Sequence, residues 1–442
     1  MELLLAPKYE KYMDSGEGWI GEIPDHWTVL RLKSLFREKK HTSNMELSCG
    51  AISFGEVVHK NDEMVADSTK RSYQEVLSGE FLINPLNLNY DLISLRIALS
   101  KFDVVVSAGY IVLKEVANIN KEYFKYLLHR YDVAFMKLLG SGVRQTISFN
   151  HISNSLLIYP PLEEQLSISK FLDHKCAQID KAIKTKECLM ARLKERKQVL
   201  IQHAVTRGLD TSVQMKDSGV DWIDQIPAHW EVKPIMAVSD VIDPNPSHRN
   251  PEYVEEGFPF ISTQEFYGFD EIEINTPRRV SERTVVEQEA RCRFQRGSLV
   301  FSRKGTIGAV RVLPEGVRLG ILDSLCVINP KGNALPNFLF WALSANYLEA
   351  QYGSTLRGAA LPQLSVGRVR SLKIILPSKA EQEKISSYLR GECSSLSEAL
   401  AIQERQISAL KEYKATLINS AVTGKIKVTG VVEPQVQDME VA

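Results

Sequence analysis

Nothing in this chain announces an active site. It has no GxGxxG set between a strand and a helix, no GxxxxGK[ST], no HExxH and no GxSxG. Dinucleotide binding, P-loop phosphate binding, zinc peptidase chemistry and nucleophile-elbow hydrolysis therefore lack their residues. The six cysteines (Cys49, Cys176, Cys188, Cys292, Cys326, Cys393) contain no CxxC pair and read as buried free thiols of a reducing compartment rather than ligands or bridges. No apolar run is long enough to cross a membrane, and the opening MELLLAPKYE is too short and too charged for a secretory core. Charge of one sign is also missing: 54 Lys and Arg balance 54 Asp and Glu. A nucleic-acid partner is then neither implied nor excluded, since local patches decide that. Together these absences predict a soluble, cytoplasmic protein in which no catalytic or metal-ligating constellation is recognisable.

Proline and glycine are absent from one long stretch, Glu163–Thr206. Leu172, Cys176, Ile179, Ile183, Met190, Leu193, Leu200 and Ala204 recur there in steps of four and three, with Lys186 and Lys197 in the two polar places. That heptad seam predicts a long helix packed along another helix. The partner lies in the same chain. Gln382–Thr423 repeats the stretch 217 positions later, with Leu389, Cys393, Leu396, Leu400, Ile407, Leu410, Leu417 and Ala421 on the seam and Gln403 and Lys414 in the polar places. Sixteen of 42 aligned residues are identical, which marks an internal repeat.

A second motif repeats as well. Asp14-Ser15-Gly16, Trp19-Ile20 and Ile23-Pro24-Asp25-His26-Trp27 return as Asp217-Ser218-Gly219, Trp222-Ile223 and Ile226-Pro227-Ala228-His229-Trp230. With no Cys, Asp or Glu at ligand spacing, His26 and His229 read as part of a strap anchored by tryptophan. Each strap opens a globe of short β-prone runs (Phe81–Asn84, Val104–Val106 and Tyr110–Leu113; then Phe260–Thr263 and Leu299–Ser302) and one helical run (Lys121–Leu139; then Pro336–Gln351). A glycine loop and a short strand follow, ending at a proline where the long helix begins.

The order is globe, helix, globe, helix. Residues 1–162 form the first globe, 163–207 the first long helix, 208–378 the second globe, 379–424 the second long helix, and 425–442 a mobile tail. The fold class expected is α+β, with two mixed α/β globes separated by two long helices that pair as an antiparallel coiled coil, an internal repeat with pseudo-two-fold symmetry. Leu172, Ile179, Ile183, Leu193 and Leu200 would face Leu389, Leu396, Leu400, Leu410 and Leu417. Such a rod of about 44 residues spans roughly 65 Å at 1.5 Å per residue and would hold the two globes apart.

Nucleic-acid signals are local. Ten cations (Arg278, Arg279, Arg283, Arg291, Arg293, Arg296, Arg303, Lys304, Arg311, Arg318) face four glutamates between Arg278 and Arg318, a candidate phosphate footprint. Arg303, Lys304 and Thr306 lie in a small-residue loop there, suited to bringing amides and cations to DNA. The matching place in the first globe holds Asn84, Asn87, Asn89 and Tyr90, and Asn pairs bidentately with adenine. Arg144 and Gln145 sit in the first glycine loop and Arg357 in the second. These ten residues are the candidate DNA contacts.

The DSGxxWIxxIPxHW strap opening each half, the Glu-Gln helix opening after proline, and the AVTRG and AVTGK endings resemble the specificity subunit of type I restriction–modification systems over about residues 12–427. That resemblance implies a target-recognition domain in each globe, reading one half of a split double-stranded DNA site, with the coiled coil as spacer. It implies two methyltransferase subunits and two restriction/translocase subunits as partners. S-adenosylmethionine, ATP and Mg²⁺ would belong to those partners and not to this chain. Two other readings stay open: a coiled-coil adaptor that binds only protein, and a stand-alone methyltransferase with degenerate motifs, of which Asn84-Pro85-Leu86 would be a fragment.

Overall fold

The computed structural model describes residues 6–86, 95–138, 146–245, 251–356 and 362–428. It divides into two compact units. The first comprises residues up to Lys184 together with Ile407 onward, and the second Thr185–Gln406. Each unit is therefore built from one globe and a part of both long helices.

In the first unit, Tyr12–Asp14 pairs antiparallel with Glu22–Pro24 to make the strap. Trp27, 1% exposed, anchors it. Burying a tryptophan withdraws the largest apolar side chain from water, and its loss to alanine costs about 3–5 kcal/mol. Thr28–Arg31 then pairs with Leu156–Tyr159, the strand that leads into the long helix. The core sheet has four strands in the order Phe36–Glu38, Ile111–Glu115, Phe81–Ile83, Ile97–Leu99. Helix Lys121–Ala134 starts at Asn120, whose side chain accepts from the Tyr123 amide, and buries Phe124, Leu127, Leu128 and Tyr131. That is the apolar face its spacing predicts.

The second unit repeats the plan. Met215–Val220 pairs with Ile223–Pro227, and Glu231–Pro234 with Lys373–Leu376. The four-stranded sheet runs Ser239–Ile242, Leu325–Pro330, Leu299–Ser302, Val310–Val312. The order matches strand for strand, so Phe81–Ile83 and Leu299–Ser302 occupy the same central place. An addition sets this globe apart: Tyr253–Ile261 pairs antiparallel with Arg279–Val280 and parallel with Gly320–Ile321. The helical run expected over Pro336–Gln351 is two helices, Pro336–Leu343 and Asn346–Leu356.

The long helices span Leu162–Arg207 and Lys379–Val422. Glycine stops both: Gly208 (φ 78°) and Gly424 (φ 71°) adopt the left-handed conformation that ends a helix. Within the second unit, Lys186 Nζ reaches Gln403 Oε1 (3.3 Å) and Gln406 Oε1 (2.5 Å), and Lys197 Nζ reaches Ser397 Oγ (2.7 Å). Partner numbers fall as helix numbers rise, so the pair is antiparallel. Within the first unit, Lys414 Nζ holds both carboxylate oxygens of Asp180 at 2.7 Å. The 217-residue offset converts Lys197–Ser397 into Lys414–Asp180 and maps Lys186–Gln403 onto itself. The polar places of the seam thus carry the same register contacts in both halves. Along the seam Leu172, Ile179, Ile183, Leu389 and Leu417 are buried, whereas Leu193, Leu200, Leu396, Leu400 and Leu410 are half-buried, as expected where only two helices share a seam. The segment beginning at Lys425 is held at its start, since Ile426 is buried and the Lys427 amide donates to the Pro7 carbonyl. The rest of the expected tail, 429–442, lies outside the described residues.

Candidate nucleic-acid interface

Each long helix opens on a glutamate clamped by its own strap. His26 Nε2 lies 2.6 Å from Glu164 Oε1, while Trp27 Nε1 (3.1 Å) and the Tyr9 hydroxyl (2.6 Å) donate to Oε2. In the second unit His229 (2.8 Å) and Trp230 (3.0 Å) meet Glu381 Oε1. Burial pushes Glu381 up, but hydrogen bonds from Ser378, Trp230 and His229 outweigh it and hold the carboxyl at about 2. Glu164 is lowered in the same way, burial being overcome by Tyr9, His26 and Trp27. The next residue ties the helix to the globe: Gln165 accepts from the Asn120 amide, and Gln382 from the Leu335 amide. The His-Trp and Glu-Gln motifs are therefore two sides of one joint, with His26 and His229 structural.

The candidate reading residues follow the central strands. In the second globe, strand Leu299–Ser302 is wholly buried and turns at Arg303. Lys304 forms a β-bridge with Gln363, and the Leu364 amide donates to the Arg303 carbonyl (2.9 Å). The loop after the strand and the end of the second glycine loop thus meet. With Asp243, Ser365, Val366 and Arg368 they line an open groove of about 760 Å³. In the first globe the same junction recurs: Leu86 bridges Thr146, and the Ile147 amide donates to the Pro85 carbonyl. Sequence reasoning placed candidate contacts on these two pairs of loops, and topology brings each pair together.

Individual residues fare differently. Arg303 is 5% exposed. Its guanidinium donates to Asp243 Oδ2 (2.8 Å) and to the carbonyls of Asp323 (2.7 Å) and Leu364 (3.2 Å). The guanidinium thus ties Asp243 to both loops, while its Nε has no hydrogen-bond partner and the residue lines the groove. Lys304 is half-buried and paired with Asp323 (2.6 Å), and Thr306 is exposed at the loop tip. The Asn84 side chain accepts from the Leu86 amide (3.1 Å), fixing the turn into the loop. Asn87, Asn89, Tyr90, Arg144, Gln145 and Arg357 lie outside the described residues.

The cation excess between Arg278 and Arg318 is smaller in three dimensions than along the chain. Arg278 meets Glu265, Arg283 meets Glu287, Arg296 meets Glu315, and Arg318 meets Glu282 and Glu289. The acids Glu265, Asp243 and Asp323 that pair Arg278, Arg303 and Lys304 were not among the glutamates weighed against the run. Arg291 and Arg293 stay exposed without an ion pair among the described residues. Gln363 and Arg368, which follow the second glycine loop, were not singled out from the sequence. Among the described residues no group of His, Cys, Asp and Glu is placed to hold a metal ion, and no helix is long and apolar enough to cross a membrane.

The family model described as "Type I restriction modification DNA specificity domain" matches residues 24–187 and again 227–412. The type I restriction enzyme MjaVIII specificity subunit of Methanocaldococcus jannaschii is 21% identical over 424 residues, covering 92% of this chain and 94% of the relative. The type I restriction enzyme EcoBI specificity subunit of Escherichia coli is 23% identical over 279 residues, 60% of this chain and 57% of the relative. A chain of a solved structure concerned with complex assembly and conformational transition of the type I R-M system superposes with a TM-score of 0.65 at 16% identity, covering 90% of this chain and 98% of the other. At that identity the likeness supports the fold.

Proposed function

The chain belongs to the type I restriction modification DNA specificity family, and from that premise we propose how it specifies a target. It is a non-catalytic specificity subunit that reads a split double-stranded DNA site, one half per globe. The reading elements are the joined loops at the Leu86–Thr146 and Lys304–Gln363 bridges, with Asn84, Lys304, Thr306, Asn87, Asn89, Tyr90, Arg144, Gln145 and Arg357 as contacts, Arg303 as the tie that shapes its loop, and Gln363 and Arg368 added to them. The antiparallel pair of long helices sets the spacer. Two methyltransferase subunits dock on the repeated frame, two restriction/translocase subunits complete the assembly, and S-adenosylmethionine, ATP and Mg²⁺ act on those partners.

One observation carries this reading: two globes share a sheet order and a loop junction but differ in the residues at that junction, while the helices between them repeat the same register contacts. A frame that repeats with readers that differ is what an asymmetric split site demands. Footprinting the complex assembled with its methyltransferase subunits on a pool of random duplexes tests it. Protection of two short sequences at a fixed separation is expected. Sequence-independent protection, or none, would leave a protein adaptor as the better reading.

A further inference from the structure

Strands Gly50–Ser53 and Glu56–His59 pair with Ser53 opposite Glu56, so Phe54 and Gly55 alone make the turn. Both have left-handed backbones (φ 48° and 78°), the form of two-residue turn that suits the twist of a hairpin. Asn-Gly is the favoured pair there, and a bulky residue at its first place is strained. Phe54 is the one non-glycine residue with positive φ among the described residues, and its side chain is 80% exposed. The sequence accepts a strained backbone and a wetted ring at one position, a combination found where function requires it.

The hairpin is also aimed. Its root is fixed, since Val57 is buried in one cluster with Leu82, Ala98 and Val104, and Ile52 packs on that cluster. Its tip is fixed by close approach. A Cβ on Gly55 would come within 2.8 Å of Leu95 Cδ1 and 3.2 Å of His129 Cε1, so only glycine fits. His129 in turn bonds the Ile97 carbonyl at 2.8 Å. Leu95 directly follows the 87–94 segment, whose other border, Leu86, makes the bridge to Thr146. Gly55, the residue that follows Phe54, therefore sits against the base of the first reading loop, and Phe54 is held beside it at the exposed tip of the hairpin.

We propose that Phe54 is a specificity-determining residue of the first half-site, its ring meeting the apolar surface of a base, either a thymine methyl group or the face of a base at an opened step. This rests on the reading of the first globe as a DNA reader. A single ring serves both contacts. A protein interface core draws on a wider apolar patch, whereas the exposed Glu56 beside the tip is paired with exposed Lys101.

The test uses the complex assembled with its methyltransferase subunits and the variants Phe54→Asn and Phe54→Leu. Asparagine suits the left-handed turn, so Phe54→Asn keeps the fold and melts no lower than the parent. It is expected to bind the selected site about 10-fold or more weakly and to relax preferences in the first half only. Replacing thymine by uracil separates the two modes. A methyl contact weakens at one position in the parent, is unaffected in Phe54→Asn, and is partly kept by Phe54→Leu. A face contact ignores uracil but brightens 2-aminopurine at the opened step in the parent alone. Phe54→Asn binding with the parent's affinity and preferences would overturn the inference. So would failure of that variant to assemble without DNA, which would assign the ring to a protein partner. A parent complex that selects no split site would instead defeat the DNA-reading premise itself.

Discussion

Replacing Arg303 by alanine separates structure from reading at the second globe. The substitution leaves Asp243, whose side chain is 15% exposed, without its guanidinium at 2.8 Å. It also strips donors from the carbonyls of Leu364 and Asp323, which link the two candidate loops. Breaking a buried ion pair by removing one partner costs about 3–5 kcal/mol, because the remaining charge stays desolvated. In a unit of this size each kcal/mol lowers the melting temperature by roughly 2–4 °C, so a fall of roughly 6–20 °C in the transition of the second unit is expected. Lys304→Ala is the control. Lys304 is partly exposed and its loss should leave the melt within a few degrees, yet weaken binding across sequences and reduce the salt slope by about one. Calorimetry of both variants, with DNA titrations at several salt concentrations, decides the matter. An Arg303→Ala protein that melts like the parent and only relaxes the second half-site would refute the structural role.

The strap clamp gives a pH signature. Glu381 has its folded pKa depressed to about 2, so its contribution is present above the ordinary glutamate value near 4.3 and is lost as pH falls from there toward 2. Glu381→Gln should cost about 1.5–3 kcal/mol at neutral pH and flatten the stability profile over that window, as read by urea unfolding at stepped pH. The double change Lys197→Leu with Lys414→Leu removes the register contacts to Ser397 and Asp180. It should raise thermal stability while broadening the distribution of spacers selected by the assembled complex, and a single unchanged spacer would argue against a register role.

What was legible in the sequence was local or periodic. The long helices, the seam, the straps and the matching places of the loops follow from spacing and repetition, and Glu163–Thr206 lies wholly inside its observed helix while Gln382–Thr423 exceeds its own by one residue. What was not legible depended on contacts across long separations. Arg303 looks like a basic loop residue because Asp243, its counter-ion, lies 60 positions away. Glu164 looks like a solvated helix-opening residue because His26 and Trp27 reach it from 138 and 137 positions away. Phe54 draws no notice in sequence, where Ser-Phe-Gly-Glu carries no familiar turn pair. Only its backbone angle and exposure make it unusual.

The central claim, that the paired helices measure the distance between two readers, is tested most directly by lengthening them together. Inserting seven residues into each helix beside Lys186 and Gln403 preserves the heptad seam and adds about 10 Å at 1.5 Å per residue. That corresponds to about three base pairs at 3.4 Å each. Selection of sites by the assembled complex should then return both half-sites unchanged and separated by about three more base pairs. An unchanged spacer with intact half-site preferences would contradict the account.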